Sequence, residues 1–162
     1  MTNLIVVRIV EDSDIGTFVQ KLAAKLRLGR LPGTLRTQVE SEGRILYLAE
    51  GILETAIFRH YKTPNACSSH RRIAFIGYFA LSERRIVAKA KCYHEIDVNV
   101  AYDDALFKSM TFAVRPKYLS LAIDASAQSA QASGQMELRL HLPYPAAAAK
   151  ILEQAGTQML SK

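Results

Sequence analysis

The sequence predicts an α+β fold, a single domain over residues 1–162 with a mostly antiparallel sheet and about three helices. Three observations lead there. Strand-like segments follow one another from residue 72 to residue 142 without the regular helical interruptions of a doubly wound parallel fold. Apolar residues recur at helical spacing in three other places, so the predicted order is β-α-β-β-α, a run of strands, then α. A chain of 162 residues with 49% apolar and 22% charged content can bury an ordinary core. Its two cysteines, Cys67 and Cys92, cannot staple a scaffold, so packing must supply the stability.

Leu4–Val10 is rich in β-branched residues and reads as a buried strand. It is short, has no basic lead and runs into Glu11, Asp12 and Asp14, unlike an export signal. Asp12, Ser13 or Asp14 suits a helix cap, and Ile15, Phe18, Val19, Leu22, Ala23 and Leu26 then form one apolar stripe, with Lys21 and Lys25 opposite. Gly29, Pro32 and Gly33 end that helix in a loop carrying Arg30. Residues 34–49 read as a hairpin turning near Glu42-Gly43, with Arg44–Leu48 as its better strand. A second helix is expected over residues 50–61, with Ile52, Leu53, Ala56 and Ile57 facing inward. Pro64, Asn65 and two serines make Thr63–His70 a surface loop.

Arg72–Leu81 reads as an apolar strand and Ser82-Glu83-Arg84 as a turn. From Arg85 the side chains alternate: Ile86, Ala88, Ala90 and Cys92 on one face, and Arg85, Val87, Lys89, Lys91 and Tyr93 on the other. Beyond His94 the outward residues become Glu95, Asp97 and Asn99, and such a length implies a bend or bulge near Cys92–His94. Asp103–Phe107 is a short helical turn. Met110–Val114 and Lys117–Asp124 are strands separated by Pro116, which has no N–H for a central ladder. Residues 125–134, small and polar, form a mobile loop. Gln135–Leu142 is the cleanest strand, with Met136, Leu138, Leu140 and Leu142 on one face. Pro145 opens a last helix over residues 146–160.

Specific chemistry is poorly signalled. Gly29–Gly33 lacks the Gly-Lys-Ser/Thr ending of a phosphate loop and follows a helix. His60, Cys67, His70, Cys92 and His94 are of zinc-binding type, but their spacing contains no Cys-x-x-Cys pair. No Gly-x-Ser-x-Gly elbow accompanies Ser68, Ser69 and His70. Glu95, Asp97, Asp103 and Asp104 have the donor chemistry of a small Mg²⁺-dependent nuclease, with Glu95 and Asp97 on one strand face. No cofactor is implied, and no segment has the roughly 20 consecutive apolar residues of a membrane helix, so a cytoplasmic protein without a membrane partner is expected.

Charge is the better lead. Residues 1–92 hold fifteen Lys and Arg against eight Asp and Glu, and residues 93–162 hold six against seven. Residues 15–36 contain no acid, and residues 55–91 contain only Glu83. The expected partner is nucleic acid or a nucleoprotein complex, bound without catalysis through Lys21, Lys25, Arg30, Arg59, Lys62, Arg71, Arg72, Arg84, Arg85, Lys89, Lys91 and Tyr93. Cations meet phosphates and tyrosine stacks on a base. The two basic blocks are expected to form one face. The rival is an interaction protein that docks an acidic protein or builds a homo-oligomer, its lysines guarding a sheet edge.

Overall fold

The computed structural model describes residues 21–22, 25–26, 28–64, 66–90, 96–127, 129–156 and 158–159. The Leu4–Val10 strand, most of the first helix, Lys91 and Tyr93 lie outside the described residues.

The fold is α+β. Helix α1 (Gly33–Glu42) precedes the long hairpin β1 (Ile45–Thr63) and β2 (Ala66–Ser82), followed by β3 (Arg85–Ala90) and β4 (Ile96–Ala101). Helix α2 (Ala105–Ser109), strands β5 (Thr111–Val114), β6 (Leu119–Asp124) and β7 (Ser133–Leu140), helix α3 (Pro145–Gln154) and the short β8 (Gln158–Met159) complete it. One eight-stranded sheet has the order β4-β3-β2-β1-β7-β6-β5-β8. Every pair is antiparallel except β5–β8.

Two expectations fail in the first third of the chain. Residues 34–42 belong to helix α1, not to a hairpin strand. Pro32 precedes the first turn, where a missing N–H costs no helical bond, and Gln38, Glu40 and Glu42 are good helix formers. Residues 50–61 are strand, not helix. β1 is central, paired with β2 on one side and β7 on the other, and it is buried from Ile52 through Phe58. Burial on both faces removes alternation from the sequence, so Ile52, Leu53, Ala56 and Ile57 match a helical stripe by coincidence. The expected loop over 63–70 is likewise strand. Thr63 pairs with Ala66, so the chain reverses across Pro64 and one further residue.

The rest of the chain matches its reading more closely. β3 and β4 pair antiparallel from Arg85↔Ala101 to Ala90↔Ile96, and the bend expected near Cys92–His94 lies outside the described residues. The Asp104 carboxylate caps α2 by accepting the Leu106 N–H at 2.7 Å. Pro116 separates β5 from β6, and Met136, Leu138, Leu140 and Leu142 are buried as expected. The mobile loop expected over residues 125–134 is instead anchored and shorter: it begins with a 3₁₀ turn at Ala125–Ala127, Ala125 and Ala132 are buried, and Ser133 and Gly134 already belong to β7. The last helix stops at Gln154 rather than residue 160, because Gly156 takes a positive φ of 85° and the chain re-enters the sheet as β8.

The two faces of the sheet do different jobs. The inner face wraps one core, in which Phe79, Leu81, Ile86, Val98 and Val100 from the β2–β4 end join Phe112, Leu119, Leu121 and Leu138 from the β5–β7 end. Phe107 of α2 and Ala148, Ala149 and Leu152 of α3 close it. The outer face carries a smaller cluster at the β2–β3 end, where Leu31 and Val39 pack on Tyr78, Ala80 and Val87. Bulges reconcile the long hairpin with this curvature. Gly51 has φ 64° at a register shift in β1, and its N–H donates to the Gly29 carbonyl at 2.9 Å.

Candidate nucleic-acid interface

The distal half of the β1–β2 hairpin gathers much of the second basic block. Antiparallel pairing sets Arg59 opposite His70, Phe58 opposite Arg71, Ile57 opposite Arg72 and Lys62 opposite Cys67. Residues directly opposite each other share a face. Arg59, His70 and Arg72 therefore lie on the outer face, while Arg71 shares the side of inner-core Phe58. Lys62, His70, Arg71 and Arg72 are exposed. Cys67 and His70 are three residues apart on one strand and point to opposite faces, so they do not form half of a metal site.

Behind this hairpin the outer face holds a polar network that sequence reasoning missed. β7 presents Gln135, Glu137 and Arg139 opposite Arg59, Ile57 and Thr55 of β1, and β6 sets Ser120 opposite Arg139. The Glu137 carboxylate accepts from Arg59 Nη2 at 2.7 Å, from Arg139 Nε at 2.8 Å and from Ser120 Oγ at 2.8 Å. Burial pushes the Glu137 carboxyl up, but the hydrogen bonds from Arg139, Ser120 and Arg59 outweigh burial and hold it at about 2. The Arg139 guanidinium lies over the Tyr118 ring, 5.3 Å from its centroid, and Tyr118 lies 5.6 Å from the His141 ring. Burial lowers the His141 pKa, and the charges of Arg139, Arg72 and Lys117 lower it further. The alternation Gln135, Glu137, Arg139, His141 showed in the sequence. What it lacked was the partner strands that set Arg59 and Ser120 against Glu137.

The other candidate residues are distributed differently. Arg85 pairs with Glu42 and donates to Asn99 Oδ1 at 2.7 Å, leaving its side chain 16% exposed. Lys89 lies 3.8 Å from Asp97. Both follow the parity of Val87 on the outer face, beneath α1. Lys89 sits opposite Tyr78, and Arg72 is six residues further along β2, a separation of about 20 Å at strand rise. Arg84 is exposed at the β2–β3 turn, and Lys21, Lys25 and Arg30 are exposed ahead of α1. The Arg30 loop is fixed by Glu50, whose carboxylate accepts the Leu31 N–H at 2.9 Å and pairs with Arg36 at 3.2 Å.

The acids considered for a metal are likewise engaged in part. Asp104 caps α2, Asp97 faces Lys89, and Glu95 is outside the described residues. Among the described residues, no helix is long and apolar enough to cross a membrane. Neither a protein-family model, nor a curated protein, nor a solved structure matches this chain.

Proposed function

We propose that the protein acts by binding a polyanion, nucleic acid or a nucleoprotein complex, through the distal β1–β2 hairpin and the outer sheet face behind it. One observation carries the reading. Residues 59–72 contain four Lys and Arg residues and no Asp or Glu, and Lys62, Arg71 and Arg72 of that hairpin are exposed. A hairpin end with that balance attracts phosphates by long-range field as well as by contact. Lysine and arginine on such an element meet the backbone rather than base edges, so affinity rests on charge and shape more than on sequence.

The test is fluorescence anisotropy with single- and double-stranded DNA and RNA over a series of salt concentrations. Binding at low salt that weakens linearly on a log–log plot is the expected result. Absence of binding to every form at low salt overturns the reading and favours docking to an acidic protein.

A further inference from the structure

We propose that the open groove between the β5–β6 turn and the first turn of α3 is a nucleotide subsite, where the Tyr144 ring receives an unstacked base and Arg115 a neighbouring phosphate. The proposal rests on the binding function just argued and adds to it a contact that favours single strands, at the end of β7 away from the hairpin tip.

Two segments of the chain build the groove, which holds about 650 Å³, the size of a small-molecule site. The β5–β6 side brings Val114, Arg115 and Pro116, in a turn that the Arg115 N–H closes by donating to the Tyr118 carbonyl at 2.9 Å. The β7–α3 side brings Pro143, Tyr144 and Pro145, followed by Ala146 and Ala147. Proline fixes its own φ, so these walls lose little freedom when a ligand enters. Leu142 and Ala148, on either side of the connection, are buried in the inner core and pin it to the sheet. β7 runs from Ser133, paired with Lys62 of the hairpin, to Leu140 before the groove, about 23 Å at strand rise. A mononucleotide in the groove therefore does not reach the hairpin tip.

Tyr144 singles the groove out. Its side chain is 73% exposed, more than any other exposed large apolar side chain described. Pro116, Pro143, Ala146 and Ala147 around it are exposed too, so the apolar surface is a patch rather than one stray side chain. Among the described residues no other ring packs on Tyr144. An exposed ring on a fixed backbone is a stacking platform for any base.

Charge selects the occupant. Residues 111–118 and 141–154 hold Arg115, Lys117 and Lys150 and a single acid, Glu153. Glu153 is seven residues beyond Ala146 along α3, about 10 Å at helical rise. The acids of β6 and β7, Asp124 and Glu137, already accept from Ser126 and from Arg59, Arg139 and Ser120. Arg115 has no ion pair or side-chain hydrogen bond among the described residues, and Lys117 is exposed in the same turn. An apolar floor with a cationic rim suits a planar ring that carries an anion. A proline-rich peptide docks in a groove lined by several aromatic side chains, and this groove has one.

The experiment is an NMR titration of the whole chain with thymidine 5′-monophosphate, with thymidine and with oligothymidylate, followed by anisotropy on variants. The monophosphate is expected to move the resonances of Val114, Tyr144, Ala146 and Ala147, and thymidine to move them less because it brings no anion. Tyr144→Ala should weaken single-stranded oligothymidylate about 5- to 150-fold and leave double-stranded DNA unchanged, because a duplex has no base free to stack. Tyr144→Phe should restore single-strand binding, since the ring makes the contact. Arg115→Ala should lower the salt slope by about one unit. Tyr144 is exposed, and an unchanged thermal midpoint confirms the fold of its variants. Oligothymidylate that binds without moving these resonances, or that binds Tyr144→Ala as tightly as wild type, overturns the subsite and leaves the hairpin reading standing. Equal losses for single and double strands overturn the stacking role. Movement by the monophosphate without any oligonucleotide binding keeps the nucleotide subsite and overturns the nucleic-acid reading. A groove that responds to no probe, or only to an acidic proline-rich peptide, overturns the nucleotide occupant.

Discussion

Glu54 is the residue least at ease in this fold. It lies on the inner face of central strand β1, fully buried, opposite Phe75 on one side and Leu140 on the other. Neither carboxylate oxygen has a hydrogen-bond partner among the described residues. Burial pushes its pKa well above the ordinary value of 4.5. Only a neighbour without a side chain leaves it room: a Cβ on Gly77 would stand 2.5 Å from Glu54 Oε1 and 2.2 Å from the Lys89 carbonyl oxygen. The sign of the linkage is plain. A raised folded pKa means that the folded state binds the proton more tightly. The associated stability is full below the unfolded value and is lost as pH rises from there towards the folded pKa. Wild-type protein should therefore lose stability between acidic and neutral pH from this group. Glu137 opposes it, since a carboxyl held near 2 contributes stability above its unfolded pKa of 4.5 that disappears as pH falls. Glu54→Met should raise stability at neutral pH by about 1–3 kcal/mol, the cost of an unmet buried polar group. Glu54→Gln should flatten the decline at rising pH while keeping most of that cost. Urea denaturation midpoints at acidic and neutral pH decide both. A Glu54→Met protein less stable than wild type at neutral pH would show that the carboxyl has a partner.

At the scale of elements, the β1–β7 pairing accommodates a pair of backbone exceptions. His60 takes a positive φ of 49°, and the register between β1 and β7 shifts between Arg59 and Lys62. Across the shift lies Gly134, with φ 90° and space for no side chain, since a Cβ there would stand 2.2 Å from the His60 carbonyl oxygen. Gly134→Ala should cost at least about 1–3 kcal/mol from strain, read as a lower thermal midpoint. His60→Gly should stabilise or be neutral, because left-handed backbone costs a non-glycine residue about 1 kcal/mol. A neutral Gly134→Ala would mean that the bulge relaxes freely. The same elements show what the sequence could reveal. β7 was legible because one face meets the core and the other meets polar groups, which writes a period of two into Gln135–Leu142. β1 was not, because Ile52–Phe58 is buried on both faces and carries Glu54 where a core strand should carry none. Helix α1 was hidden by Thr34, Thr37 and Val39, β-branched residues whose strand preference is overridden when Val39 docks on the outer cluster. The basic residues of the candidate interface were legible singly. Their grouping was not, since Arg59 and Arg72 come to share the outer face only through the β1–β2 pairing, which sets Arg59 opposite His70 and Ile57 opposite Arg72.

Over the whole molecule, a formal net charge of +6 is less informative than where it is left uncompensated. The β3–β4 end spends its cations on structure: Arg85 ties β3 to Glu42 at the end of α1, and Lys89 faces Asp97 across the β3–β4 pair. At the hairpin end, among the described residues, Arg59 and Arg139 pair with Glu137, and Lys62 and Arg71 are exposed. The two ends therefore predict different responses to the same kind of substitution. Lys62→Ala with Arg71→Ala should weaken oligonucleotide binding uniformly across sequences and lower the salt slope by about two units, one per lost phosphate contact. Lys89→Ala should weaken binding less than the hairpin pair, because an ammonium that already faces Asp97 makes a poorer phosphate contact and its lost charge acts only through the salt-screened field. Charge reversal sharpens the contrast: Lys62→Glu with Arg71→Glu should abolish binding in moderate salt while the thermal midpoint stays near that of wild type, since both side chains are exposed. Anisotropy titrations of the three variants, read beside their melting curves, locate the binding surface. If Lys89→Ala proved as damaging as the hairpin pair, the interface would lie at the β3–β4 edge, and the hairpin would be a solvated arm whose charge serves solubility alone.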